Sequence, residues 1–427
     1  MPSPTAFKSA TYDCRLFCGA NAIETNLKAA VADAEIGLKI LVLGRDPSGR
    51  FEEVPISFID ETPEIDFADT KLNDIAVIAY TSGTTGRPKG AAHSHSDLIA
   101  ATETYFRYCI GPREDDVIAG PPSIPFTLGM GFLVYFPLWF GAAAVVGADK
   151  SPEVCAESVR RHGATILVAV PTYYNQLLRY LQATETRLPT LRQTLIGGEP
   201  LYPELESAWR TETGLPLVQF IGTTEMYHCI VSYRHGVDEP RTGCLGRAVP
   251  GYEVTVRDPE TFDEVANGEH GLLCVRGPTS CVYWSPREIQ ADAVRDGWNI
   301  VQDTVWKDDE GYIYFVSRRD EMIVSGGFNI APADVEQILV LHPAVAECAC
   351  VPAPDETGER AAVVKAFIVL NDGFEPSSDL KSAIQIHFKD NGPPFMYPRE
   401  IDFIDELPKG VTGKVQRSEL RRRSVGR

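Results

Sequence analysis

Residues Thr81 to Gly90 put three glycines, four hydroxyl side chains and two cations into ten consecutive positions. Glycines let backbone N–H groups approach an anion closely, hydroxyls add donors, and Lys89 brings a mobile positive charge, so the segment suits a polyphosphate. It is not the phosphate loop of kinases and GTPases: G-x-x-x-x-G-K-[ST] needs Ser or Thr after the lysine, and Gly90 stands there. A flexible linker is the plain alternative for a Gly/Ser/Thr run, but almost every residue of this one suits a phosphate. Three more segments hold functional residue types at loop positions. Gly197 to Pro200 would let a flat ring lie against exposed backbone. Gly222 to Met226 offers the Thr224 hydroxyl to a phosphate and the Glu225 carboxylate to a hard cation such as Mg²⁺. Leu407 to Arg417 sets Lys414 after a Thr-Gly turn. Taken singly, each has an ordinary explanation: a helix C-cap, a turn, a solvated lysine.

The elements around these loops read as an α/β fold. Ile75 to Tyr80 predicts a short buried strand leading into the first loop, the way α/β folds present phosphate sites. A helix is expected over Ser96 to Tyr108, capped by Ser94 or His95. A buried strand over Thr165 to Val170 ends at Pro171, followed by a helix from Tyr173 to Gln182 and a strand at Thr194 to Ile196. Such alternation implies a mostly parallel sheet covered on both faces. Upstream, Lys39 to Leu43 reads as a buried strand within alternating elements, and Ile59 to Thr70 as an acidic surface connection. Beyond Thr242 the texture changes to short alternating strands at Tyr252 to Arg257, Gly271 to Arg276 and Gly311 to Val316. An amphipathic helix from Pro332 to Leu341, two strands and a basic tail follow. The division expected is a large domain over residues 1–319, with a β-rich subdomain at about 242–319, and a small mobile α+β domain over 320–427.

Bulk properties bound the function. The 427 residues exceed what one core supports, and a hydrophobic share of 44% is ordinary for a globular protein. A net charge of −19 argues against nucleic acid or an anionic membrane as partner. Ten scattered cysteines without a C-x-x-C pair read as reduced, mostly buried thiols of a cytoplasmic protein. Cys348 and Cys350 alternate along an expected strand and are assigned to packing. There is no basic-then-apolar N-terminal signal, and the longest apolar stretch, Gly129 to Val146, is broken by Gly131, Pro137 and Gly141, which makes it core rather than a membrane span.

From about Leu72 to Arg421 the motifs, in order, closely resemble the adenylate-forming superfamily of acyl-CoA synthetases, peptide-synthetase adenylation domains and luciferases. The resemblance implies ATP, Mg²⁺ and CoA as cofactors. By it, Thr81, Ser82, Gly83, Thr84, Thr85, Gly86 and Lys89 would lie over the ATP β/γ-phosphates. Gly198, Glu199 and Pro200 would flank adenine, Gly222 and Thr223 would bind the nucleotide with them, Thr224 would touch phosphate, and Glu225 would hold Mg²⁺. Asp303 with Arg318 would bind the ribose hydroxyls. Asp320 would be the hinge, and Lys414 would contact the carboxylate and α-phosphate. Gly326 and Gly327 would line the pantetheine tunnel after the small domain rotates. The residue types fit the reaction, in which two anions must meet and pyrophosphate must leave.

Within the superfamily, Ile124 to Gly131, Val168 to Tyr173 and Glu225 to His228 are most similar to the benzoate and 2-aminobenzoate CoA ligase branch. Phe126 and Tyr173 are candidates to sandwich an aromatic ring. His228 is a candidate hydrogen-bond partner for the carboxylate or a ring substituent, weighed against an ordinary structural histidine. No aspartate stands where an α-ammonium group would need one, which counts against amino-acid activation. The expectation is therefore an aryl acid as substrate and CoA as acceptor. An acyl carrier protein as acceptor, a reaction ending at the adenylate, and a non-catalytic nucleotide-binding scaffold stay open, as does a homodimer. Neither His93 nor His95 is given a catalytic role, and Arg417 to Arg423 reads as a basic helix end. One departure from the resemblance stands out: Met1 lies only 80 residues upstream of Thr81, where the family carries a longer stretch. Much of the N-terminal subdomain is then expected to be missing, with a rearranged core, a partner subunit or a weakly active protein as consequences.

Overall fold

Ile166–Ala169 is apolar at every position and buried throughout, the pattern of a strand covered on both faces. In the computed structural model it lies inside one long mixed sheet. The structure describes residues 16–20, 39–43, 52–54, 68–82, 88–147, 149–198, 201, 203–285, 289–318, 321–325, 328–355, 362–410 and 414–425. Among these, the long sheet has twelve strands. One half is parallel: Ala143–Ala144, Val117–Ala119, Ile166–Ala169, Gln193–Gly197 and Leu217–Gly222 follow one another across it. At Leu217–Gly222 the pattern changes. Its other neighbour, Cys229–Ser232, is antiparallel, and antiparallel pairing continues through Cys244–Ala248, Ile313–Arg318, Trp298–Lys307, Gly271–Arg276 and Glu253–Arg257. The short strands expected between about 242 and 319 are present, but most of them extend the main sheet instead of forming one of their own.

The connecting helices carry their own start and stop signals. Pro152–His162 begins with Ser151 accepting from the Val154 N–H, has proline in its first turn, and ends at Gly163 with φ +62° after Arg160, Arg161 and His162. Pro171–Thr184 again starts on proline. It packs on the preceding helix through Tyr173, Tyr174, Leu177 and Leu181 beside Cys155, Ala156 and Val159. A second apolar cluster fills the other side, built on Tyr105, Phe106, Phe132, Phe136 and Phe220. Helix His95–Ala101 starts at Ser94, not His95: the Ser94 hydroxyl accepts from the Asp97 N–H at 3.3 Å while the Ser94 N–H donates to the Asp97 carboxylate at 2.8 Å. The helix continues in wider π-helical form over Thr102–Ile110.

The strand expected to lead into the phosphate loop is present, and its pairing adds what the sequence did not show. Ile75–Ser82 is one arm of a hairpin. It pairs antiparallel with Pro88–Ser94, placing Tyr80 opposite Gly90 and Thr81 opposite Lys89, and Val282–Ser285 completes a separate three-stranded sheet. The strand is only half buried, since Ile75 is exposed and Ala79 buried.

The C-terminal part has an independent core. Val345–Ala353, Val363–Leu370 and Glu400–Phe403 form a sheet, and helices Pro332–Leu339 and Ser378–Asn391 pack on it through Val335, Leu339, Ile384 and Phe388. Further upstream, Leu16–Ala20, Lys39–Leu43 and Glu52–Val54 make a small parallel sheet. Eight cysteines among the described residues are free thiols, all buried except half-buried Cys348. Cys348 and Cys350 both lie against Glu336, through Sγ to its carbonyl and through N–H to its carboxylate, which is the packing role expected. No described helix is long and apolar enough to cross a membrane.

Candidate active site

Two neighbouring parallel strands end side by side: Gly197 stands opposite Phe220, and each strand then runs into a loop, at Gly198 and at Gly222. Loops at the carboxyl ends of parallel strands, beside the point where a sheet's order changes, are where α/β folds bind ligands. Gly198 has φ +90°, which a residue with a Cβ adopts only under strain. A Cβ there would also come within 2.9 Å of Lys414 Cε and 3.2 Å of Lys414 Nζ. The catalytic-lysine candidate, 216 positions away by number, therefore lies against the expected adenine loop.

Lys414 is delivered by a short return of the chain. The Gly410 N–H donates to the Lys414 carbonyl at 2.8 Å, the Gln416 N–H donates to the Pro408 carbonyl at 2.7 Å, and Lys409 bridges to Val415. Three residues on, Arg417 donates to both oxygens of Glu336 at 2.6 and 2.7 Å, and Glu336 is buried in the C-terminal core. The same guanidinium lies 3.7 Å from Glu321, and the Cys350 N–H also donates to Glu336, so the pair is part of a small network. This ion pair fixes the base of the lysine segment.

The Gly222 to Met226 turn is held from several sides. The Met226 N–H donates to the Thr223 hydroxyl at 3.1 Å, an ordinary Ser/Thr turn. The next residue, Tyr227, has φ +68° and is fully buried, a strained conformation for an aromatic side chain. His93 Nε2 donates to the Thr224 carbonyl at 2.8 Å, and the Tyr283 hydroxyl donates to Glu225 Oε1 at 2.9 Å. Burial lowers the His93 pKa, with the Thr224 carbonyl partly opposing the shift, so the ring is a neutral Nε2–H donor. Burial first, and the Glu225 charge second, push the Tyr283 hydroxyl well up and keep it protonated. By contrast, the Thr81 and Thr224 hydroxyls, Lys89 Nζ and the second Glu225 oxygen make no hydrogen bond or ion pair among the described residues. That uncommitted set of two hydroxyls, one cation and one carboxylate oxygen is the donor chemistry that a magnesium–polyphosphate requires.

Asp303 and Arg318 face each other directly in antiparallel register on neighbouring strands, with Asp303 buried and Arg318 exposed. Ser82 is described in its backbone, opposite Pro88. Gly83, Thr84, Thr85, Gly86, Glu199, Pro200, Asp320, Gly326 and Gly327 lie outside the described residues.

The aromatic candidates stand in different surroundings. Tyr173 belongs to the helix-pair core, where its hydroxyl donates to the Ser151 carbonyl at 3.2 Å. Phe126 is half buried in extended backbone ahead of the short helix Thr127–Met130, and no ring contact joins it to Tyr173. His228 instead sits in an aromatic cage: Phe136 lies edge-on at 4.7 Å, Tyr105 stacks at 5.4 Å, and Phe132 and Phe220 close the sides. Gly131 makes room for it, since a Cβ there would fall 2.6 Å from Nε2. Neither ring nitrogen meets hydrogen-bond geometry with a partner among the described residues, although the Leu128 backbone lies close enough to favour the protonated ring. Burial pushes the imidazole pKa down to about 3, opposed slightly by the Leu128 backbone. His228 is thus not a histidine satisfied by its surroundings. Sequence reasoning missed His93 and Tyr283; the alternation along their strands was the only available sign, and it gains meaning once the strand pairing is known.

The AMP-binding enzyme family matches residues 13–283, and the AMP-binding enzyme C-terminal domain matches residues 334–414, ending on Lys414. Among curated proteins, a benzoate–CoA ligase of Thauera aromatica is 36% identical over 84% of this chain and 68% of its own length. A mitochondrial acyl-coenzyme A synthetase of Rattus norvegicus is 33% identical over 83% of this chain. The chain spans about 62–68% of the length of these two relatives. Among solved structures, an anthranilate CoA ligase in complex with anthranoyl-AMP superposes with a TM-score of 0.90 at 30% identity, covering 99% of this chain and 80% of that one. A benzoate CoA ligase from Burkholderia xenovorans LB400 gives 0.84 at 31% identity, covering 99% and 82%. The lysine meeting the glycine loop of a mixed α/β sheet agrees with these matches: the chain belongs to the AMP-binding enzyme family of adenylate-forming enzymes.

Proposed function

We propose that the protein activates an aromatic carboxylic acid of the benzoate or 2-aminobenzoate type with ATP, releasing pyrophosphate, and then transfers the acyl group from the adenylate to the thiol of CoA. The observation that carries this reading is Lys414 lying against Gly198, beside the turn bearing Thr224 and Glu225. The likeness to benzoate and anthranilate CoA ligases supports an aryl acid. In this reading Thr81 and Lys89, with the rest of their loop, hold the β/γ-phosphates, and Thr224 donates to phosphate. Asp303 and Arg318 engage the ribose, and Gly198 lets adenine approach the backbone. Glu225 would hold Mg²⁺, which supplies charge neutralisation at the phosphates when bound. Lys414 draws the acid carboxylate and the α-phosphate together, offsetting a repulsion strong enough in a water-poor site to control the rate. For the second step, a rotation at Asp320 withdraws Lys414 and brings Gly326 and Gly327 to the same place.

The test is pyrophosphate release from ATP and Mg²⁺ across aryl, fatty and amino acids, with and without CoA, followed by mass spectrometry of the products. Aryl-dependent release with an aryl-CoA product supports the proposal and names the acid. Release that depends on fatty or amino acids overturns the substrate class. An adenylate that never reaches CoA overturns the acceptor and points to a carrier-protein thiol.

A further inference from the structure

The face of the three-stranded sheet under the phosphate loop has a regular composition. Along a strand, alternate residues share a face, and in an antiparallel pair directly opposed residues point the same way. Thr81 is opposite Lys89, Ala79 and Tyr283 are both opposite Ala91, and Val77 is opposite His93. Thr81, Lys89, Tyr283 and His93 therefore share one face, the first two at the loop end and the other two farther along. Their neighbours point away: Val282 and Trp284 are exposed, whereas Cys281, Tyr283 and His93 are buried.

On this face lies the Thr224 to Glu225 turn, which belongs to a different sheet. His93 reaches its backbone and Tyr283 its carboxylate, each from a buried side chain to a partly exposed turn, so both contacts are partly shielded from water. We propose that His93 and Tyr283 are positioning residues that clamp the Thr224–Glu225 turn to the phosphate-loop hairpin, so that the loop and the carboxylate keep a fixed spacing. By occupying Oε1, Tyr283 also selects the oxygen that Glu225 turns toward a divalent cation. This rests on the reading of Glu225 as the magnesium ligand. Hydrogen-bond partners of metal ligands fix ligand orientation in this way, and their loss typically costs about 10–100-fold in metal affinity.

The experiment is calorimetric titration of a non-hydrolysable ATP analogue into the full chain, without any acid substrate, across a range of Mg²⁺ concentrations. Tyr283→Phe keeps the ring and its packing and removes one hydroxyl. It is expected to raise the Mg²⁺ needed for half-maximal enhancement of binding by about 10-fold, with nucleotide affinity in the absence of Mg²⁺ unchanged. In a Glu225→Gln background the same change should have no further effect. His93→Leu should likewise weaken the Mg²⁺-dependent part, and His93→Gln, which keeps an N–H donor, should restore it. Equal losses with and without Mg²⁺, no change in either, or additivity with Glu225→Gln would each overturn the clamp. If the wild-type protein bound the analogue with no response to Mg²⁺ at all, the magnesium reading of Glu225 would fail, and the clamp's role with it.

Discussion

Replacing His228 by leucine should make the protein more stable, and increasingly so as the pH falls. The imidazole is enclosed by Phe132, Phe136, Phe220 and Tyr105, with neither nitrogen in hydrogen-bond geometry with a described residue. Its pKa is held down to about 3 from an ordinary 6.5, by burial above all. A histidine depressed in this way binds a proton in the unfolded chain but not in the folded one, so stability is fully present above pH 6.5 and is lost as the pH falls toward about 3. Each unit of that window costs about 1.4 kcal/mol, or about 2 kcal/mol between about pH 7 and about pH 5. Leucine has a similar volume and does not titrate. At neutral pH it should also recover part of the desolvation cost of the buried imidazole, about 1–3 kcal/mol. Equilibrium urea unfolding of wild type and His228→Leu at both pH values measures the difference directly. His93 is depressed too, but it is common to both proteins and cancels. Parallel pH profiles for the two proteins would refute the reasoning, because they would mean that His228 is protonated in the folded state or reaches water. If His228 also contacts the acid, the stabilised variant should lose affinity for the aryl substrate, seen as a raised KM.

Lys414→Ala should lower adenylate formation by about 10²–10³-fold, measured as pyrophosphate release, while transfer from supplied acyl-adenylate to CoA persists; equal loss of both steps would contradict its role. Gly198→Ala forces a Cβ into a φ of +90° and within 2.9 Å of Lys414 Cε, so it should slow adenylation, and its penalty should shrink in a Lys414→Ala background. Glu336→Ala removes the two-pronged pair while Arg417 keeps Glu321, so it should destabilise the C-terminal core by about 1.5–3 kcal/mol, seen as earlier proteolysis of that part with the core around Trp209 intact. Gly327→Leu should spare pyrophosphate release and block thioester formation; normal CoA turnover would remove Gly327 from the thiol route.

Much of the architecture was legible because local chemistry and fold agree. The apolar run at Ile166–Ala169, the helix expected from Tyr173 to Gln182 and the strand Gly271–Arg276 follow from periodicity, whereas the helix Pro152–His162 was not expected at all. The phosphate loop was legible as chemistry and as the end of a strand, but not as part of a hairpin. Glycine and hydroxyl content says what a loop can hold, whereas whether a strand continues into a helix or folds back on a neighbour depends on pairing energies spread over distant residues. Residue type likewise names Phe126 and Tyr173 as ring-binding candidates without saying that Tyr173 also fills the contact between two helices and hydrogen-bonds Ser151.

The sequence by itself determined the kinds of groups available: a glycine-rich anion loop, a Thr-Glu turn, and a lysine after a Thr-Gly turn near the C-terminus. Each is a short-range statement, carried by residue type and spacing. Only the tertiary structure decided that Lys414 meets Gly198, that Asp303 stands opposite Arg318, and that His93 and Tyr283 hold the Thr224–Glu225 turn. Those are contacts between residues far apart in the chain, and they exist because burying the two large apolar clusters and pairing the strands across them leaves few other arrangements.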